Sequence, residues 1–226
     1  MVPTCEIRID LDDVMPPIWR TLLVPADIGL DHLHYIVQTA MGWTNSHLHE
    51  FRKGKDRYGP PNPDDQDFGE PAEDEGEFCI AELLNRPKAK ISYEYDFGDG
   101  WSHTITLLRI IPEPCLVPRC LDGARACPPE DCGGPGGYAN LLEILADPKD
   151  AEYQEMRSWF QSMVPEGHDP EVFPIAEVNE QFAKGLDALV EEYEGAAFGE
   201  DDDLIDDGEG EDDGDEKIIR FPPSRN

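Results

Sequence analysis

Tyr93-Glu94-Tyr95-Asp96-Phe97-Gly98-Asp99-Gly100-Trp101-Ser102-His103 reads as two strands joined by a turn. Before the turn, alternation sets Tyr93 and Tyr95 on one face. After it, Trp101, His103, Ile105 and Leu107 share a face while Ser102, Thr104 and Thr106 take the other. This is the pattern of a half-buried antiparallel pair, here spanning residues 90–111. Asp99-Gly100 supplies the turn, because glycine tolerates positive φ and aspartate can bond to nearby backbone. Asp96, Asp99, Ser102 and His103 thereby gather polar groups at one end of the sheet.

Upstream, residues 5–11 alternate as a strand, Met15-Pro16-Pro17 enforces a turn, and residues 18–24 form a second strand paired with the first. From Gly29 the period becomes helical. Leu30, Leu33, Val37, Ala40 and Met41 make a stripe, with Asp31 in the positive first turn and Gly42 placed to stop the helix. Residues 47–52 form a third strand in which His47, His49 and Phe51 point one way and Leu48, Glu50 and Arg52 the other, which makes the two histidines neighbours. Residues 62–77, rich in Pro, Gly and acid, predict a solvated loop that buries little, and residues 80–84 a short helix.

Downstream, a loop from residue 112 carries Cys115, Cys120, Cys127 and Cys132 and closes on Gly133-Gly134-Pro135-Gly136-Gly137, a turn that aims the next helix at the sheet. Three helical stripes follow: Tyr138, Leu141, Leu142 and Leu145; Met156, Trp159, Phe160 and Met163; Val178, Phe182, Leu189 and Tyr193. Strands first and helices later predict an α+β fold, a mostly antiparallel sheet opened by a hairpin and helix, with C-terminal helices packed on one face. The expected organisation is a single domain over residues 1–195 with the acidic loop 62–77 inserted, then an acidic tail over 196–226. That tail is expected to be disordered through 200–216, because repulsive charge and few apolar residues do not offset ordering entropy. It ends in a short apolar stretch, Ile218-Ile219-Arg220-Phe221-Pro222-Pro223.

The formal net charge is −32, but 8 acids fall in residues 62–77 and 12 in residues 200–216, with no Lys or Arg in either, so the rest is only moderately acidic. Such a surface argues against direct binding to nucleic acid, whose phosphates reward Lys and Arg, and favours a basic protein partner. The first eight residues carry neither a basic run nor an apolar stretch, and no segment is long and apolar enough to span a bilayer. The expected location is cytoplasmic, where six cysteines serve as thiols or metal ligands rather than disulfides.

Four segments together resemble the plasmid pRiA4b ORF-3-like family, whose members also carry the label of transposon passenger proteins of a TnpR type. They are Pro16-Pro17-Ile18-Trp19-Arg20; residues 33–51 with Ala40-Met41-Gly42-Trp43 and His47-Leu48-His49-Glu50-Phe51; Tyr95 to His103; and Arg125-Ala126-Cys127-Pro128-Pro129-Glu130-Asp131-Cys132-Gly133-Gly134. Their order and separation match as well, over roughly residues 5–184. The resemblance implies a compact α+β domain and an association with mobile elements, without an established reaction. The recombinase chemistry suggested by the TnpR label needs an activated nucleophile among clustered arginines and a basic surface, and the folded part shows neither.

Two sets of residues carry candidate chemistry. His47, His49, Asp96, Asp99, His103, Glu130 and Asp131 combine histidine and carboxylate, the donors that hold zinc or another divalent metal, and Glu130 or Asp131 is placed to act as a general base. Against this, His103 also fits a core position and Asp96 and Asp99 also fit turn braces. Cys115, Cys120, Cys127 and Cys132 offer a thiolate zinc site at C-x4-C, x6, C-x4-C spacing, looser than the usual zinc loop. The expected function is therefore a cytoplasmic, non-enzymatic binding or adaptor protein. A metal-dependent hydrolase using the His/Asp cluster and a zinc-stapled recognition module stand as alternatives.

Overall fold

The computed structural model describes residues 2–61 and 72–198. Among these residues eight strands form one sheet in the order β5-β4-β3-β6-β7-β1-β2-β8. They are β1 (Thr4–Leu11), β2 (Ile18–Pro25), β3 (His49–Lys53), β4 (Asp56–Gly59), β5 (Glu73–Asp74), β6 (Lys90–Tyr95), β7 (Trp101–Ile111) and β8 (Arg119–Ala124). All neighbours are antiparallel except β4 and β5. Among the described residues six helices accompany them: α1 (Leu30–Met41), α2 (Ile80–Leu83), α3 (Gly134–Ala146), α4 (Tyr153–Met163), α5 (Ile175–Ala183) and α6 (Leu186–Phe198).

The period-2 pattern is realised in full along the central strands. Ile7, Ile9 and Leu11 of β1, Ile18 and Leu22 of β2, Ile91, Tyr93 and Tyr95 of β6, and Trp101, His103, Ile105 and Leu107 of β7 all face one core. α1 lies in that core, and α5 and α6 pack against it. Gly42 ends α1 at φ 93°, its N–H bonded to the Gln38 carbonyl at 2.7 Å, which is the left-handed stop expected of glycine. Arg20 takes an inward position between Ile18 and Leu22 and is fully buried. Its guanidinium donates to the carbonyls of Ala40, Trp19 and Ala124 and lies 3.8 Å from the centre of the Phe173 ring. Burial brings its pKa down to about 10.

Several expectations need correction. The hairpin turn is a five-residue loop between Tyr95 and Trp101, which pair, so Asp99-Gly100 is not a two-residue turn. The loop is closed by Gly100 N–H to the Asp96 carbonyl, and the Asp96 side chain accepts from Gly98 N–H. The cysteine-bearing loop contains an edge strand, β8, with Cys120 inside it. Asn179 of α5 bonds both backbone groups of Cys120, at 2.8 and 2.9 Å, in place of a further strand. The third helical stripe divides into α5 and α6 at Gly185, whose φ of 94° breaks the helix. Residues 73–77 are not a loop that buries little: they form β5 and a 3-10 turn (Glu75–Glu77), and Glu75 is buried. The expectations for residues 62–71 and for the tail beyond Phe198 lie outside the described residues.

Candidate functional site

The loop between α1 and β3 carries His47 and is pinned residue by residue. Trp43 donates its indole N–H to the Pro128 carbonyl at 3.0 Å. The Thr44 hydroxyl donates to Glu130 at 2.5 Å, and its backbone N–H approaches both Glu130 oxygens at 3.3 Å. Asn45, at φ 60°, donates its backbone N–H to Gln38 Oε1. Ser46 N–H donates to the Tyr95 hydroxyl, which in turn donates to Glu130. A second loop is drawn in by glycine: Gly133 N–H donates to Asp99 Oδ2 at 3.0 Å, and Gly134, at φ 67°, lies so close that any side chain would strike the Asp99 carbonyl oxygen. Three loops, 43–48, 96–100 and 128–134, thus converge at the end of β3 and β6.

His47, Asp96 and Asp131 meet there. One ligand atom from each lies within 4.8 Å of the other two, and this is the sole such group of three among the described His, Cys, Asp and Glu residues. His47 Nε2 stands 3.2 Å from Asp131 Oδ1 and 3.7 Å from Asp96 Oδ2. That nitrogen is shielded from solvent, yet it satisfies hydrogen-bond geometry with no described residue, the two carboxylates included. Ligand atoms about 2.1 Å from a tetrahedral ion stand roughly 3.4 Å apart, so the spacing suits a shared cation. Asp96 spends Oδ1 on its own turn and leaves Oδ2 toward His47. Its side chain is nearly buried, whereas that of Asp131 is 61% exposed, so one side of the site opens to solvent.

His49, two residues along, is in a different environment. β3 begins at His49, so His47 sits in the preceding loop and the expected shared face does not continue to it. His49 Nε2 lies 3.0 Å from both oxygens of Glu75. Its ring stacks on His34, with centroids 3.5 Å apart and planes 8° from parallel. Burial brings His49 down to about 4, and raises Glu75 to about 8 with help from Asp31 and Asp74. Between those values the pair holds one shared proton and is neutral overall. His34, pushed down by burial and by His49, is neutral too. Asn45 Oδ1 can only accept, so His34 Nε2–H donates to it at 2.7 Å, and Nδ1 accepts from the Tyr93 hydroxyl at 2.8 Å. Gln38 completes the chain by donating to Tyr93.

The other candidates have structural places. His103 is wholly buried, donates from Nδ1 to the Tyr93 carbonyl at 3.2 Å, leaves its Nε2 without a hydrogen-bond partner among the described residues, and does not belong to the His47 group. Asp99 braces Gly133; burial, with Asp96 and Asp131 nearby, raises its pKa. Glu130 is engaged by Tyr95 and Thr44 and braces the loops against each other. All six cysteines are free thiols, and no three of them approach within metal-binding range of one another. Cys120, Cys127 and Cys132 are buried and their thiols are pushed up, Cys120 to about 11, which favours the protonated form.

Glu75 and His34 were not among the candidates read from sequence. Glu75 is one acid among eight in a stretch without periodicity. His34 and Gln38 did leave a trace, since they continue the Leu30 stripe at intervals of four and their burial follows from it.

The family model for plasmid pRiA4b ORF-3-like proteins matches residues 3–177. The chain is 40% identical over 156 residues to the uncharacterized protein y4hQ of Sinorhizobium fredii (strain NBRC 101917 / NGR234), covering 68% of this chain and 79% of that one. It also resembles the crystal structure of MM3350, a protein of unknown function from Methanosarcina mazei Go1. There the identity is 30% and the TM-score 0.67, over 78% of this chain and 98% of that one. Among the described residues, no helix is long and apolar enough to cross a membrane.

Proposed function

The chain belongs to the plasmid pRiA4b ORF-3-like family, and from that premise we propose that it is a divalent-cation-dependent protein whose ligands are His47, Asp96 and Asp131. The observation that carries this reading is His47 Nε2, shielded from solvent, facing two carboxylates and hydrogen-bonded to no described residue. A buried polar atom left in that state costs about 1–3 kcal/mol unless a ligand completes it. Three protein ligands with a solvent-facing side correspond to the catalytic type of metal site, in which a further position takes water or substrate. A bound cation would supply Lewis acidity and a more acidic water.

Hydrolysis is the reaction class this arrangement supports. The water oxygen bonds to a carbonyl carbon, the bond to the leaving amine or alcohol breaks, and the proton released by the water ends on the leaving group. The chain's own part is to orient the ligands through the Thr44, Tyr95 and Glu130 brace and through the Asp96 turn. The adaptor reading is favoured by one separate observation, the exposure of Leu48 and Phe97, the chain neighbours of His47 and Asp96. A basic protein partner fits the net charge of −32, and a cytoplasmic setting fits six free thiols.

Cobalt(II) titration of the full chain, followed by visible absorption, tests the site. One cation per chain is expected, with binding lost in Asp96→Asn; ester or amide turnover that requires the cation and disappears in the same variant supports the hydrolase. Cobalt binding without turnover would leave the adaptor, and unchanged binding in Asp96→Asn would contradict the site.

A further inference from the structure

We infer that a second site, apart from the His47 group, binds a free α-amino acid with an apolar side chain as its zwitterion. Between the end of α3, α4 and the turn after α4 lies a half-open cavity of about 530 Å³, within the range of roughly 300–1,000 Å³ usual for small-molecule sites. No residue lining it belongs to the His47 group or to the loops that brace that group. Tyr153, Arg157 and Gln161 recur every four residues and so share one face of α4, and all three border the cavity. Leu145, Phe160 and Val164 give it an apolar wall. The turn of residues 165–168 closes the far side. It is held by His168 N–H donating to the Pro165 carbonyl at 3.1 Å, by Gly167 at φ 82°, and by the His168 ring standing edge-on to Phe160, with centroids 5.6 Å apart.

Charge narrows the occupant. In residues 134–198 acids far outnumber the cationic side chains, which are Lys149, Arg157 and Lys184. Lys184 pairs with Glu192 at 2.8 Å, whereas Arg157 meets no carboxylate among the described residues. Glu166 lines the same cavity as Arg157, yet the two do not come within ion-pair distance of each other. A ligand that carries both charges completes each of them: its carboxylate accepts from the guanidinium, its ammonium meets Glu166, and its side chain rests on Leu145, Phe160 and Val164. The net charge of −32 disfavours a simple anion, while a zwitterion is neutral overall. The His168 ring, its pKa lowered by burial, is neutral near pH 7 and adds a hydrogen-bonding group without a further charge.

Isothermal titration calorimetry of the full chain, in chelator so that no cation contributes, tests this at neutral pH. The probes are L-phenylalanine and L-leucine, set against glycine, N-acetyl-L-phenylalanine and phenethylamine, which lack in turn the side chain, the ammonium and the carboxylate. L-Phenylalanine or L-leucine is expected to bind once per chain, about tenfold or more tighter than each of those three. Arg157→Gln should weaken that amino acid about tenfold and remove its advantage over phenethylamine. Glu166→Gln should remove its advantage over N-acetyl-L-phenylalanine. Both residues are exposed, so thermal melts of the two variants are expected to match that of the unaltered chain. No binding of either amino acid at about 10 mM would overturn the inference. Equal affinity for the acetylated or the carboxylate-free compound, or unchanged affinity in Arg157→Gln, would overturn it as well, and each of these outcomes leaves the cation site standing.

Discussion

His47 and His49 are two residues apart, and their surroundings could hardly differ more. His49 is enclosed, stacked on His34 and matched to Glu75, so its polar atom is accounted for by the chain itself. His47 faces two carboxylates across distances suited to an ion and makes no hydrogen bond among the described residues. A satisfied buried histidine belongs to the architecture, whereas an unsatisfied one beside carboxylates marks a place for a ligand. β3 thus begins with an anchored histidine, and the loop before it carries the one proposed as a ligand.

The contrast breaks most visibly under truncation. Glu75→Ala leaves His49 without its partner inside the core and is expected to cost about 3 kcal/mol in denaturant unfolding. His47→Ala, measured in chelator, should cost less than about 1 kcal/mol, because its ring is partly exposed and makes no hydrogen bond to lose. Comparable losses in both variants would remove the distinction.

Cation addition sharpens it from the other side. At a hundred times its dissociation constant, a divalent cation should stabilise the unaltered chain by about 2.7 kcal/mol and His47→Ala not at all. Thermal melts with and without cation check this, and an equal gain in the variant would place the cation elsewhere.

The pH dependence of the closed pair comes next in size. Glu75 has a folded pKa near 8, above the carboxylate's ordinary 4.5, so the native state holds the extra proton and stability falls as pH rises toward 8. His49, near 4 when folded and ordinarily 6.5, works the opposite way, and stability rises from pH 4 to 6.5. The two slopes offset each other up to about pH 6.5, leaving a net loss between about 6.5 and 8 on the order of 1–2 kcal/mol. Glu75→Gln should flatten that segment of the stability curve. A variant that loses stability there as steeply as the unaltered chain would assign the effect to other groups.

A last substitution tests the support of the open site. Gly134→Ala forces a methyl group toward the Asp99 carbonyl at a positive φ and should cost about 1–3 kcal/mol if the loop stays, less if it shifts. A shift would carry Asp131 away and weaken cation binding, which a cobalt titration reads directly. Unaltered affinity together with unaltered stability would show that the 128–134 loop is not held as described.

Much of the architecture was legible because strong periodicity survives folding. β1, β2, α1 and the β6–β7 hairpin follow from alternation and from the Gly42 stop. β8 was not legible, since Arg119-Cys120-Leu121-Asp122-Gly123-Ala124 buries only Cys120 deeply and is paired to β2 through an irregular register between Thr21 and Leu22. Its edge is completed by Asn179, which no local pattern announces. For the site, His47, Asp96 and Asp131 were all named from sequence, but in one pool with His49, His103, Asp99 and Glu130. Strand parity placed both histidines on one face. The strand actually starts at His49, because the preceding residues are held as a loop by Glu130, Gln38 and Tyr95. Glu75 lay hidden among acids whose individual burial depends on β5 and the 3-10 turn, neither of which has a sequence period.

The central claim is tested most directly by counting tightly bound cobalt or zinc per chain after equilibrium dialysis, in the unaltered protein, in His47→Ala and in Cys115→Ser. One ion per chain in the first and third and none in the second is the predicted result. Full stoichiometry retained in His47→Ala, or its loss in Cys115→Ser alone, would contradict the assignment of the cation to His47, Asp96 and Asp131.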